Sequence, residues 1–196
     1  MGKLSIVGIG GTTKAGSSTE KTLVACLAQA ELLGANTTAF LGEDLSALPH
    51  YTEDESDRTE LAKRFVAAMR DADGIIIASP AYHGTVSGLV KNALDYTQDM
   101  AGDARVYFQD RPVGCISTGY GWQGIITTLV ALRSVVHGLR GWPTPLGACV
   151  NSLDKPFAPD GSIVDEKVGF QINTVAREVI DFATMRSAHS TAQTPR

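Results

Sequence analysis

Residues 74–88 read GIIIASPAYHGTVSG, and this stretch decides the fold. Gly74–Ala78 is an unbroken apolar run, the strongest strand signal in the chain, and Ser79-Pro80 breaks it. Continuous runs of this kind belong to strands buried on both faces, as in a parallel sheet. Similar runs lie on either side. Leu4–Ile9 (LSIVGI) is short, apolar and ends at a glycine pair. Thr37–Leu41 reads as a second strand and Pro112–Ser117 as a fourth. Thr144–Val150 is a weaker fifth, with Pro143 and Pro145 placing it at an edge or delaying its start.

Helical periodicity fills the intervals. Ser17–Leu33 carries Leu23, Cys26, Leu27 and Ala30 at helical spacing, and Gly34 is a natural stop. Arg58–Arg70 is amphipathic through Leu61, Phe65, Val66 and Met69. Ser87–Met100, Ile125–Leu139 and Val164–Met185 complete five predicted helices. Residues 42–57 and 151–163 read as loops, and residues 187–196, without apolar periodicity, as a disordered tail. Residues 1–186 are therefore expected to form one domain. Strands alternating with helices imply βαβ units, and right-handed crossovers place helices on both faces. The expected fold is α/β: a flavodoxin-like doubly wound five-stranded parallel sheet of order 2-1-3-4-5.

Composition narrows the function classes. The chain has 196 residues, 43% apolar and 19% charged, with a net charge of −4; a packed core is feasible. No long basic run marks a nucleic-acid footprint, and no apolar stretch approaches the roughly 20 residues that span a bilayer. The N-terminus lacks a signal-peptide pattern, so a cytoplasmic enzyme-sized domain is expected. Cys26, Cys115 and Cys149 are widely spaced among apolar neighbours, which reads as small buried hydrophobes rather than disulfides or a zinc site. Glycine numbers 20, above the usual share of roughly 7%.

Ligands of doubly wound sheets sit at the carboxyl ends of the strands, where three unusual loops fall. The first, residues 10–19 (GGTTKAGSST), joins glycines, hydroxyls and Lys14 to a helix N-terminus. That combination suits a phosphate, and it equally describes an ordinary capped helix start. It is neither a P-loop, since Ser17 follows Gly16, nor a Rossmann fingerprint, since Thr13 replaces the third glycine. The second loop, residues 79–88 (SPAYHGTVSG), combines Tyr82 and His83 with two glycines that permit close approach of a flat ring. His83 reads as an acid–base group or, more simply, as a solvated hydrogen-bonding residue, and no dedicated catalytic side chain is assigned. Lys91 and Asp95, at i and i+4, suit an ion pair. The third loop, residues 117–124 (STGYGWQG), exposes backbone amides at three glycines, with two aromatics interleaved.

Together these loops resemble the NAD(P)H-dependent FMN reductase family, over residues 3 to about 150. Residues 11–19 are similar to the family pattern Gly-Ser-x-Arg-x-x-Ser-x-Asn/Thr, with Lys14 at the arginine. Ser79-Pro80-Ala81-Tyr82 and Gly88–Asp95 (GLVKNALD) are similar to its Ser-Pro-x-Tyr and Gly-x-Leu-Lys-Asn-x-Leu-Asp segments, with Val90 for the leucine. Tyr96 stands where a tryptophan is frequent. The resemblance implies an NAD(P)H:FMN oxidoreductase. Gly11, Thr12, Lys14, Ser17, Ser18 and Thr19 would form the phosphate loop. Pro80, Ala81, Tyr82, His83, Gly84 and Ser87 would line the ribityl chain and ring, and Thr118, Gly119, Tyr120 and Gly121 the pyrimidine side. Lysine for arginine loses the bidentate fork and acts as a point charge. The resemblance further implies a homodimer or tetramer, with Tyr51, Tyr82 and Trp122 near the interface, and FMN either as substrate feeding a flavin-dependent monooxygenase or as a bound cofactor serving quinones, azo compounds or metal oxyanions.

Overall fold

The computed structural model describes residues 2–53 and 58–193. Its strands are β1 (Ser5–Gly10), β2 (Asn36–Phe40), β3 (Gly74–Pro80), β4 (Pro112–Gly119), β5 (Trp142–Pro143) and β6 (Ala148–Asn151). Its α-helices are α1 (Ser18–Leu32), α2 (Gly42–Ala47), α3 (Glu60–Asp71), α4 (Gly88–Asp95), α5 (Trp122–Gly138) and α6 (Glu166–Gln193). All pairings are parallel and the order is β2-β1-β3-β4-β5, with β6 also on β4. The expected fifth strand is thus two short pieces at one position. The segment between them breaks the ladder, and Thr144 Oγ1 there donates to Leu146 O at 2.8 Å.

Alternation along β1 and β3 divides the core. Ile6, Ile76 and Ala78 face α1 and α6, joined by Leu23, Cys26, Leu27, Ile172 and Val175. Val7, Ile9, Ile75 and Ile77 face the other layer, where Phe40, Phe65, Met69, Val90, Leu94 and Leu132 pack. β3 is buried at every position, as its sequence demands.

Three expectations are corrected. Residues 42–47, read as loop, form α2. Asp44 starts it by accepting from Leu41 N at 3.1 Å, and its Leu45 is buried. The rest of that polar loop includes 54–57, outside the described residues. The helix of Ser87–Met100 is α4 followed by a 3-10 turn at Tyr96–Met100. The last helix continues to Gln193, so residues 187–193 of the expected tail are helical. Extending a formed helix costs far less than nucleating one, and no proline intervenes before Pro195. Residues 194–196 lie outside the described residues. Among the described residues no helix is long and apolar enough to cross a membrane.

Candidate cofactor site

Register places the ends of β1, β3, β4 and β6 together. Gly10 pairs with Ala78, Pro80 with Thr118, and Gly119 with Asn151. The loops that follow enclose one cleft of about 520 Å³, inside the roughly 300–1,000 Å³ range of small-molecule sites.

One end is built by the first loop. Ser17 caps α1, its Oγ accepting from Glu20 N at 3.3 Å. Thr12 Oγ1 knits the loop by accepting from Lys14 N at 3.2 Å. Thr12, Lys14, Ser17, Ser18 and Thr19 all line the cleft. Buried Thr19 and Thr118 join their hydroxyls at 2.6 Å, linking the first turn of α1 to the end of β4.

The other end is a tight turn after β3. Ala81 N donates to Thr118 O at 2.7 Å, and Thr85 N to Tyr82 O at 3.2 Å. His83 and Gly84 take φ of +54° and +78°, the consecutive positive values of a primed two-residue hairpin turn. Thr128 Oγ1 ties the turn to α5 by donating to Thr85 O at 3.2 Å. Gly121 begins α5 without a side-chain cap, so no side chain claims the first amides of that helix. Pro80–Gly84 and Thr118–Gly121 line the cleft.

The structure therefore brings fourteen of the sixteen sequence-predicted residues to one cleft and leaves out Gly11 and Ser87. Gly11 is buried behind the loop, where a Cβ would lie 2.8 Å from Gly42 N. Ser87 is the buried cap of α4: its Oγ accepts from Val90 N, and its N–H donates to Ser79 Oγ. Three cleft residues were not among the predicted ones: Gln123, Gly124 and Ser152. The first two stand in the quoted glycine loop. Ser152 follows β6, and the rule that ligands gather at strand carboxyl ends points to it once that strand is placed.

Other signals prove structural. Lys91 pairs with Asp95 at 2.5 Å. Asn92 clamps the segment before α3, donating to Pro49 O and accepting from Tyr51 N. Tyr51 packs against Tyr96 and under Arg58 within the chain, while Tyr82 and Trp122 are exposed. Burial pushes the Cys26 and Cys115 thiols up to about 12, so neither is a nucleophile at neutral pH. Cys149 is only partly buried.

The donor set suits a phosphorylated ring. Hydroxyls, Lys14 and a helix N-terminus meet at one end, and a glycine-bearing hairpin faces uncapped amides at the other. Fold and cleft define a flavodoxin-like α/β protein with a small-molecule site at the carboxyl ends of its strands. Sequence comparison makes this specific, because the family model of NADPH-dependent FMN reductases matches residues 4–153. The chain belongs to that family, whose cofactors are FMN and NAD(P)H, and it is an NAD(P)H:FMN oxidoreductase. It is 28% identical over 151 residues to an FMN-dependent NADPH-azoreductase of Staphylococcus saprophyticus, covering 71% of this chain and 75% of the relative. It is 34% identical over 93 residues to a 2-hydroxy-1,4-benzoquinone reductase of a Burkholderia species, covering 47% of this chain and only half of that protein. The crystal structure of an apo NADH:FMN oxidoreductase superposes with a TM-score of 0.70 at 23% identity, covering 93% of this chain and 90% of that one.

Proposed function

We propose that the chain binds FMN in the cleft at the carboxyl ends of its strands and passes hydride to it from NADPH or NADH. The observation that carries this is the single cleft uniting the α1 N-terminus with the Tyr82–Thr85 turn and the Thr118–Gly121 loop. Thr12, Lys14, Ser17, Ser18 and Thr19 hold the phosphate. Pro80–Gly84 shape the ribityl and ring side, and Thr118–Gly121 the pyrimidine side, with Gly11 and Ser87 supporting their loops from behind. When bound, FMN supplies a ring that accepts hydride from a nicotinamide. The backbone amides beginning α5 carry a partial positive charge that favours an electron-rich pyrimidine edge. Exposed Tyr82 and Tyr120 border the open side, leaving it accessible to a flat nucleotide. No protein acid or base is required for this step.

In the leading reading FMN is a substrate and its reduced form feeds a flavin-dependent monooxygenase. A second reading keeps FMN bound and sends electrons to quinones, azo compounds or metal oxyanions; the benzoquinone reductase and azoreductase relatives favour the first two acceptor classes. A cytoplasmic homodimer or tetramer fits either. Trp122, Ile126 and Val130, which recur every four residues along α5, are 51%, 51% and 63% exposed and supply an apolar stripe for a second copy.

The test is NADPH and NADH oxidation with and without added FMN, together with the absorption spectrum of the purified protein. Colourless protein that oxidises nicotinamide only with added FMN supports the leading reading. Yellow protein with parallel-line kinetics toward quinone supports the second. Absence of oxidation under both conditions refutes the function.

A further inference from the structure

Ser152 opens the loop after β6, yet it lines the cleft beside the N-terminus of α1. Its place is fixed from the strand side: Asn151 Oδ1, at the buried end of β6, accepts from Leu153 N at 3.1 Å. Ser152 Oγ then donates to Ser18 Oγ at 2.8 Å. The direction of that bond matters. A serine hydroxyl has one proton and two lone pairs. Ser18, by accepting from Ser152, keeps its own proton, and among the described residues no protein acceptor takes it. A hydroxyl that already accepts one hydrogen bond is polarised into a better donor. Ser18 is also the first residue of α1, where free amides favour an anion.

We propose that Ser152 is a positioning residue for the phosphate of FMN. It turns Ser18 into a dedicated donor and ties the β6 loop to the helix that receives the anion. The inference rests on the reading that FMN occupies this cleft, and it adds a hydroxyl from a fourth loop.

Riboflavin carries the same ring and ribityl chain without the phosphate, so it separates a phosphate role from a general effect on cleft shape. Fluorescence quenching measures both flavins against wild type, Ser152→Ala and Ser152→Thr. Losing one hydrogen bond in this chain should weaken FMN about two- to tenfold and leave riboflavin affinity unchanged. Ser152→Thr, which retains the hydroxyl, should restore FMN affinity. In steady state, KM for FMN should rise while kcat at saturation holds. Equal losses for the two flavins, or an FMN affinity indifferent to Ser152→Ala, overturn the role. Wild type that binds neither flavin overturns the FMN reading itself and this inference with it.

Discussion

Gly42 carries the most demanding prediction. It is the first residue of α2, and a Cβ built on it would lie 1.9 Å from Thr12 O and 2.6 Å from Thr12 C. Both neighbours are backbone, so no rotamer change relieves the clash. Cβ contacts under 3.0 Å essentially never occur, so Gly42→Ala must displace the first loop or α2 by about 1 Å. Thr12 is hydrogen-bonded to Lys14 in both directions, each at 3.2 Å, so Lys14 moves with it. Overpacking of this kind costs about 1–3 kcal/mol, which in a domain of this size lowers Tm by about 2–4 °C for each kcal/mol. Misplacement of a binding group by about 1 Å is felt strongly. FMN affinity should therefore fall about tenfold, with a smaller loss for riboflavin. Thermal unfolding and fluorescence titration measure both effects. Gly88→Ala is the control, because a Cβ there meets nothing within 4 Å. Normal Tm together with wild-type FMN affinity in Gly42→Ala would sink the argument that α2 buttresses the phosphate loop.

Three further outcomes follow from particular contacts. Lys14 is exposed and lines the cleft, so Lys14→Ala should weaken FMN binding more than it lowers turnover at saturating FMN, and the salt dependence of binding should flatten; unaltered affinity removes Lys14 from the phosphate site. Arg111 is buried and donates to Arg70 O, Tyr107 O and Ala72 O at 2.6, 2.7 and 3.0 Å, so Arg111→Met should cost about 2–4 kcal/mol in urea unfolding without changing flavin affinity, and a stability loss near zero contradicts it. The Arg58 guanidinium hydrogen-bonded to Asp99 at 2.8 Å holds that carboxyl below its ordinary value of 3.8. A carboxyl whose folded value lies below its unfolded one gives stability that is present above about pH 4 and lost as pH falls through the folded value. Asp99→Asn should therefore show a shallower loss of stability below about pH 4 than wild type, and an identical acid limb in both proteins refutes the pairing as its source.

How much of this was legible in the sequence depended on the length and isolation of each signal. β3 and α1 announce themselves because Ile75–Ile77 and the Leu23/Cys26/Leu27/Ala30 spacing leave no second interpretation. α2 was lost because GEDLSA buries essentially one large side chain, Leu45, and its start is made by Asp44 reaching back rather than by a serine or threonine cap. The fifth strand position blurred because two pieces share it and Pro145 lies between them. The three loops were visible as glycine and hydroxyl clusters, and fourteen of their sixteen chosen residues reach the cleft. The two exceptions show the limit of composition: Gly11 is needed for backbone clearance against Gly42, and Ser87 for capping α4. Ser152 and Gly42 act through partners 134 and 30 residues away in sequence, and only the tertiary fold reveals such pairs.

The two ends of the sheet divide the work between stability and binding. At the end where β4 begins, Tyr107 and Asp110 take positive φ, a conformation that costs non-glycine residues free energy. Arg111 holds the carbonyl of the first and Arg105 that of the second, at 2.7 and 3.1 Å. The strain is thus locked by charged donors, Arg111 buried and Arg105 half-buried. At the opposite end His83 takes a similar φ, but its turn is closed by one backbone bond of 3.2 Å and anchored by Thr128 at the same distance. The turn at the cleft is consequently the more easily reshaped, and a bound flavin would supply contacts that the chain does not. Substitutions at the arginine end should then alter unfolding free energy while sparing affinity, whereas those around the cleft should alter affinity first. Arg111→Met and Lys14→Ala sit on opposite sides of that division, and a variant pair behaving the other way round would show that the ends are energetically coupled through β4.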